Sequence, residues 1–333
     1  MPDVQILTLT LFSLLALLVP IGLTLLAIGA AAEERAEEVA VTALVALATA
    51  VLGYFACGFA LQFGGAAFVS GLPGLGRLTA EWSPLDLTLG PGWGLVGLRG
   101  FFLRGAADNP DVYLLFISHL PAVATATLVP LLALSKRVPK GLLLAIGLLV
   151  SGLIYPLFGN WVWGGGWLAN LGLNLELGHG YVDLAGSGTV FLLGSLVALA
   201  GFLVLRQKRA VEAGPARLPP LHFPLLMIVG ALLAVAGWAG LALGNVLVWG
   251  QVELSLAVLN LWMAASGGAV VVSLYSWFVT GRPNALAVAR GTVAGLVAIS
   301  AGCAFADERW RSTDGASFGL AGVVNTHTSI ATT

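Results

Sequence analysis

Few side chains in this sequence could carry ionic or proton-transfer chemistry, because only 9% of its 333 residues are charged. Two ionisable residues within apolar stretches stand out: Asp183, which precedes Leu-Ala-Gly-Ser-Gly, and His119, which precedes Pro121. The Asp183 carboxylate could cap the following helix by accepting its backbone N–H groups, or could place a negative charge at the mouth of a cation-binding vestibule. These roles are compatible, and we expect capping to dominate. The lone histidine is interpreted as a hydrogen-bonded structural group, with a proton carrier as the alternative.

The sequence has none of the residue patterns that enzymatic chemistry requires. It contains no H-E-x-x-H motif, no G-x-x-x-x-G-K-[ST] motif and no cluster of cysteine and histidine residues. Cys57 and Cys303 both lie in apolar segments, where a small packed side chain is favoured over a metal ligand or a disulfide. We therefore predict that the protein is not an enzyme and uses no metal or cofactor. A net charge of −1 offers no basic face for phosphates, so nucleic acid is not a predicted partner.

The elements that hold these residues are predicted to cross a membrane. Apolar residues make up 58% of the sequence and its mean hydropathy is +0.96, whereas soluble domains have about 25% charged residues. A helix needs about 20 apolar residues to span the hydrocarbon core with every backbone polar group paired. The predicted fold class is therefore an all-α polytopic membrane protein surrounded by lipid. Its eight predicted spans are 5–31, 40–65, 111–134, 141–162, 183–205, 222–247, 253–279 and 284–305.

The basic residues on the connections predict an orientation. Lysine and arginine cluster after the first, third, fifth and seventh spans, and the positive-inside rule places that side in the cytoplasm. Both termini are then predicted to lie outside the cell, with the protein in the plasma (inner) membrane. We expect one transmembrane domain over residues 1–305 and a polar C-terminal tail over 306–333. The clustered residues are Arg35, Lys136, Arg137, Lys140, Arg206, Lys208, Arg209, Arg217 and Arg282.

Two long loops are predicted on the outer side. The loop 66–110 is rich in glycine, proline and tryptophan, and we expect it to pack at the membrane interface rather than to bind a ligand. The loop 160–182 carries three tryptophans around Gly164, Gly165 and Gly166. Because glycines allow backbone segments to approach closely, this turn is predicted to fold into the protein.

The stretch 159–201 contains a W-x-G-G-G-W-L turn followed by the helix start D-x-A-G-S-G-T-V. It resembles the ammonium transporter and Rhesus family. Further stretches that resemble this family lie at 58–64, 133–137, 237–240, 281–283 and 291–299. The resemblance implies trimers of eleven-helix subunits, each with a hydrophobic pore between two inverted five-helix repeats. Eight predicted spans then imply an inverted-repeat bundle that lacks the last three helices.

The resemblance also implies roles for single residues. Trp163 matches the tryptophan that offers a cation–π face to ammonium, and Asp183 matches the aspartate near that site. Asn245 falls on the serine that binds ammonium beside the tryptophan. The outer vestibule is therefore predicted to involve these three side chains.

The pore positions depart from the family pattern. The two stacked phenylalanines that gate the pore fall on Ala122 and Leu241, and the first pore histidine is Phe191. The second pore histidine belongs to the tenth helix of the family. A phenyl ring removes the donor and acceptor of an imidazole and adds bulk, so we expect poor conduction of ammonium.

Two functions remain open at this point. One is a diverged ammonium-transporter-like protein that weakly binds or passes ammonium, ammonia or a small neutral solute. The other is a non-conducting structural or scaffold subunit of a larger membrane complex that has kept the fold. The expected assembly is a homotrimer or a larger membrane-protein complex, and a separate chain could supply the remaining helices.

Overall fold

The computed structural model describes residues 3–68, 70, 73–89, 92–178, 180–205, 222–245, 247 and 253–305. The predicted polar tail, 306–333, lies outside these ranges. The α-helices are α1 (Asp3–Ala16), α2 (Leu18–Gly29), α3 (Ala36–Gly53), α4 (Phe59–Phe63), α5 (Asp86–Leu89), α6 (Pro110–Leu134), α7 (Lys140–Leu149), α8 (Tyr155–Val162), α9 (Trp167–Asn174), α10 (Leu193–Val204), α11 (Phe223–Leu243), α12 (Leu254–Thr280) and α13 (Ala285–Ile299). Two short strands, β1 (Glu81–Trp82) and β2 (Val96–Gly97), pair antiparallel in the outer loop.

The helical fold class is confirmed, and seven of the predicted spans reappear as long apolar helical segments within the described residues. Three of these segments contain a π-helical turn. The turns are Tyr54–Gly58, Val150–Ile154 and Ser187–Leu192. The first span is instead divided at Leu17. Pro20 has no N–H, so it cannot make the helical hydrogen bond to the carbonyl four residues earlier. The seven segments run from Val4 to Gly29, Ala36 to Phe68, Pro110 to Leu134, Lys140 to Asn174, Ser187 to Val204, Phe223 to Leu243 and Leu254 to Thr280.

The eighth predicted span, 284–305, is shorter than expected. Its helix, α13, has 15 residues, which is about 22 Å of helix against a hydrocarbon core of about 30 Å. The backbone then turns over residues 300–305, and its carbonyls bond to other segments. Ser300 and Ala301 accept the amides of Ala185 and Leu184, and Cys303 accepts the Asn260 side chain. These long-range bonds replace the helical bonds that a longer α13 would have made.

The second outer loop, predicted over 160–182, contains a helix that hydropathy did not predict. The helix α9 begins directly after the glycine turn and is 8 residues long. The first residue of α9 is hydrogen-bonded to the loop 66–110, since the Trp167 amide donates to the Gly94 carbonyl. The Trp161 indole, on α8, donates to the Leu95 carbonyl of the same loop. The glycine turn is thus folded against the 66–110 loop, as its sequence predicted.

The bundle is held together where backbones approach closely. The helix α11 packs along α2, and Gly22 and Gly230 face each other at the crossing. A Cβ atom added to Gly230 would lie 2.5 Å from the Gly22 carbonyl oxygen, and one added to Gly22 would lie 2.7 Å from the Ala234 amide nitrogen. Small residues at such crossings allow the van der Waals packing that drives helix association in lipid.

We therefore expect Gly22→Ala to lower the thermal transition of the purified protein, because the new methyl group meets main-chain atoms that cannot rotate away. Overpacking of this kind costs about 1–3 kcal/mol. The measurement is the midpoint of thermal unfolding in mild detergent. Gly141→Ala is the matched control, since a Cβ there has no atom within 4 Å. Equal midpoints for the two variants would contradict a tight α2–α11 crossing.

Candidate functional site

Trp163 directly follows α8, within the fourth long segment, which runs from Lys140 to Asn174. Its indole Nε1 donates to the backbone carbonyl of Asp183 at 2.7 Å. The side chain is only partly buried. Because the indole N–H is already bonded, the ring faces are what Trp163 can offer to a solute.

Asp183 binds the beginning of the π-helical turn Ser187–Leu192. Its Oδ2 accepts the Gly188 amide at 3.0 Å, the Thr189 amide at 2.7 Å and the Thr189 hydroxyl at 2.7 Å. The carboxylate therefore caps this turn, and its negative charge lies at the positive end of the helix. The chain reverses just before it at Gly186, whose φ of +85° suits glycine. Asp183 Oδ1 is buried and has no hydrogen-bond partner among the described residues.

Phe191 stacks on Trp238 deeper in the bundle. The two rings are nearly parallel, with an interplanar angle of 8° and a centroid separation of 4.7 Å. Phe191 is 7% exposed and Trp238 is fully buried. The stack therefore fills space at the position where the family pattern has an imidazole.

Trp238 is fixed by a hydrogen bond to the residue after α13. Its Nε1 donates to Ser300 Oγ at 2.7 Å, and that hydroxyl donates to the Leu296 carbonyl at 2.6 Å. Ser300 is fully buried as well. The orientation of the Trp238 ring is therefore set by a satisfied pair of hydrogen bonds, and Phe191 packs against a surface that does not rotate freely.

Ala122, Leu241 and Asn245 are the other predicted site residues. Ala122 on α6 and Leu241 on α11 belong to the same buried apolar cluster as the Phe191–Trp238 stack. Asn245 follows α11, and its Oδ1 accepts the Leu247 amide at 3.0 Å. Among the described residues, the Asn245 side chain makes no hydrogen bond to Trp163 or Asp183.

The sequence interpretation missed two partners of the site. Trp238 was noted only as part of a family stretch, although it forms the second face of the aromatic stack. His119 was interpreted as structural, but its ring lies 5.5 Å from the Trp163 ring and 4.7 Å from the Phe63 ring, centroid to centroid. The only sequence signal for His119 was an ionisable group inside an apolar span. In the part of the chain that the structure describes, no group of three or more metal-ligand side chains occurs.

Comparison with known proteins identifies the family. A sequence model of the Ammonium Transporter Family matches residues 7–319. The ammonium transporter Amt2 of Archaeoglobus fulgidus is 31% identical over 295 residues, which are 87% of this chain and 58% of that protein. This chain belongs to the ammonium transporter family.

One further relative and two solved structures are similar to this chain, and the structures are similar in fold. Amt1 of Methanocaldococcus jannaschii, also an ammonium transporter, is 36% identical over 158 residues, or 46% of this chain and 37% of that protein. A solved structure named as a sensor Amt protein matches with a TM-score of 0.74 at 24% identity, over 97% of this chain and 75% of that one. Candida albicans Mep2 matches with a TM-score of 0.70 at 21% identity, over 95% and 64% of the two chains. The chain spans little more than half the length of Amt2.

Outside the membrane segments, Glu81 supports the glycine turn next to Trp163. Its carboxylate lies against Gly65 and Gly94 and 3.5 Å from the Asn160 amide nitrogen. The Asn160 side-chain amide in turn donates to the Gln62 backbone carbonyl. The Asn160 backbone carbonyl accepts the Gly166 amide. Burial raises the pKa of Glu81 to about 7, with a smaller increase from nearby Asp86 and a decrease from the Asn160 hydrogen bond.

We expect this carboxyl group to make stability dependent on pH. Because the folded state holds the Glu81 proton more tightly than the unfolded state, its stabilising effect is complete below the ordinary pKa of 4.5 and is lost as the pH rises through about 7. The thermal midpoint of the wild type should therefore fall more between pH 5 and 8 than that of Glu81→Gln. Glu176→Gln, at an exposed carboxylate, is the control and should respond as the wild type does. Parallel pH profiles for wild type and Glu81→Gln would contradict this expectation.

Proposed function

We propose that this protein binds ammonium at an outer site formed by Trp163 and Asp183 and passes ammonium or ammonia only slowly. The observation that carries this proposal is the Phe191–Trp238 stack, with centroids 4.7 Å apart. In this proposal the stack lies between the outer site and the rest of the bundle. The solute then binds on one side of the stack, and the stack slows its passage to the other side. Membership of the ammonium transporter family supports ammonium as the solute.

The outer site is supported by charge and ring geometry. Aromatic faces attract cations by about 0.5–2 kcal/mol, most strongly for tryptophan. Trp163 is partly buried, and its indole is bonded to the backbone carbonyl of the residue that carries the carboxylate, Asp183. Asn245, whose amide oxygen is bonded within its own turn, contributes to this proposal only through its family position.

Slow passage is supported by the position of Phe191 in the chain, shortly after the residues that contact Trp163. A Cβ added to Gly186 would lie 3.6 Å from the Trp163 ring, and the Phe191 amide bonds to the Gly186 carbonyl at 3.1 Å. The backbone of Phe191 is thus one helical turn beyond the glycine that lies next to Trp163. A solute that leaves the outer site meets two aromatic rings and an apolar cluster that includes Ala122 and Leu241. Apolar side chains give no hydrogen bonds to replace water, which costs a polar solute several kcal/mol.

The same stack favours a second candidate function. A lumen that is closed by two packed rings suits a non-conducting subunit that has kept the family fold for packing within a larger membrane complex. In that case the outer residues are structural, with Asp183 as a helix cap and Trp163 as its hydrogen-bond donor.

Assembly and orientation follow from the family and from charge. We infer a homotrimer, or a larger membrane-protein assembly, in the plasma membrane. Both termini are inferred to lie outside the cell, with α13 and the turn after it as the eighth crossing, because Arg35, Arg137, Lys140 and Arg282 are all on connections of the opposite side.

The test is uptake of radiolabelled methylammonium by proteoliposomes containing the full chain. Wild-type protein should give slow uptake above that of empty vesicles. Phe191→Ala and Phe191→His should each raise the rate by about tenfold or more, because removing about 1.4 kcal/mol from a barrier gives a factor of ten. Phe278→Ala, at a 90% exposed position, is the control and should not change the rate.

Two outcomes would contradict the proposal in different ways. Fast wild-type uptake that Phe191→Ala leaves unchanged would show that the aromatic stack is not the barrier. Uptake equal to empty vesicles for the wild type and both Phe191 variants, with thermal transitions retained, would favour the non-conducting subunit.

A further inference from the structure

His119 is a buried histidine on α6 whose environment the proposed function does not explain. Its side chain is 3% exposed and packs edge to face against Phe63 and Trp163. A polar ring enclosed by aromatic side chains loses its bonds to water, so each of its nitrogens needs a partner.

The hydrogen bonds of His119 assign its tautomer. Nδ1 lies 3.1 Å from the Leu115 carbonyl oxygen and 3.1 Å from Ser118 Oγ. The Ser118 hydroxyl already donates to the same carbonyl at 2.8 Å. Because a carbonyl oxygen only accepts, the proton of the neutral imidazole must be on Nδ1. Nε2 then carries a lone pair and can only accept a hydrogen bond.

In the part of the chain that the structure describes, Nε2 makes no hydrogen bond. An acceptor that no group of the protein donates to is available to an N–H or O–H donor from a solute. The imidazole ring packs edge to face against Trp163, with the two ring centroids 5.5 Å apart. The acceptor nitrogen and the indole therefore belong to neighbouring side chains of one site.

We propose that His119 is a binding residue of the outer site, where its Nε2 accepts an N–H from an ammonium-type cation lying on the face of Trp163. This inference rests on the proposed function, because it requires a cation at Trp163. The indole face supplies attraction for positive charge, and Nε2 supplies a directed hydrogen bond. A cation with N–H groups satisfies both, whereas a quaternary ammonium ion satisfies only the first. His119 thus selects for N–H donors over other cations.

The test compares two probes at constant ionic strength, methylammonium chloride and tetramethylammonium chloride, in titrations of the purified full chain followed by tryptophan fluorescence. His119→Phe keeps an aromatic ring in place but removes the acceptor. It should weaken methylammonium binding by about tenfold or more, the effect expected for a lost hydrogen bond to a charged donor. Tetramethylammonium binding should not change. His119→Gln, whose amide oxygen can accept in place of Nε2, should retain methylammonium binding within about threefold.

Control variants separate this inference from the proposed function. His222→Phe, at an exposed histidine next to α11, should bind both probes as the wild type does. Trp163→Leu should weaken both probes, because it removes the face that attracts either cation. His119→Met serves as a second variant without a nitrogen acceptor if His119→Phe fails to give a folded protein.

The outcomes that overturn the inference are distinct. Unchanged methylammonium binding in His119→Phe or His119→Met overturns the role of His119 and leaves the outer site at Trp163 intact. Equal weakening of both probes in these variants shows a structural role only. If the wild type binds neither probe, the outer site itself is wrong, and the role of His119 is overturned with it.

Discussion

The stacking of Phe191 on Trp238 is the contact on which the functional interpretation depends. It joins three elements: the π-helical turn that Asp183 caps, the helix α11, and the turn that follows α13. Ser300 fixes the stack through the Trp238 indole, and the neighbouring backbone of Leu184 and Ala185 bonds to the same turn. The rings and the backbone around them therefore form one packed unit, and moving the phenyl ring would disturb close-packed neighbours.

Under the proposed function, this unit separates the site at Trp163 from the rest of the bundle. Trp163 is partly buried, and the His119 ring packs edge to face against it. Ala122 and Leu241 belong to the same buried apolar cluster as the stack. A family member of this kind could hold a cation at its surface while transferring little of it. Under the proposed function, binding and transport depend on different residues.

Much of this fold could be predicted from hydropathy, because helices in lipid must be long and apolar to satisfy their own backbone. The seven long segments follow that rule. The prediction was less accurate for α13, since its end depends on hydrogen bonds from Leu184, Ala185 and Asn260, which are distant in sequence. It missed α9, because an eight-residue helix within a loop is too short to show in a membrane-span pattern.

A motif of fixed spacing predicts two of the candidate residues. Phe191 lies eight residues after Asp183, and Trp163 precedes the glycine turn. The contacts of Trp238 and Ser300 were not predictable in the same way, since Trp238 meets Phe191, and Ser300 meets Trp238, through tertiary packing that has no local signal. The roles of Asn245, Ala122 and Leu241 stay predictions, because no described contact joins them to a solute.

The most direct measurement is a high-resolution density map of the protein in lipid nanodiscs with saturating methylammonium chloride. A closed lumen predicts that the Phe191 and Trp238 rings remain stacked at about 5 Å, with solute density on the Trp163 side only. Separated rings, or solute density continuing past Phe191 into the bundle, would contradict the central claim.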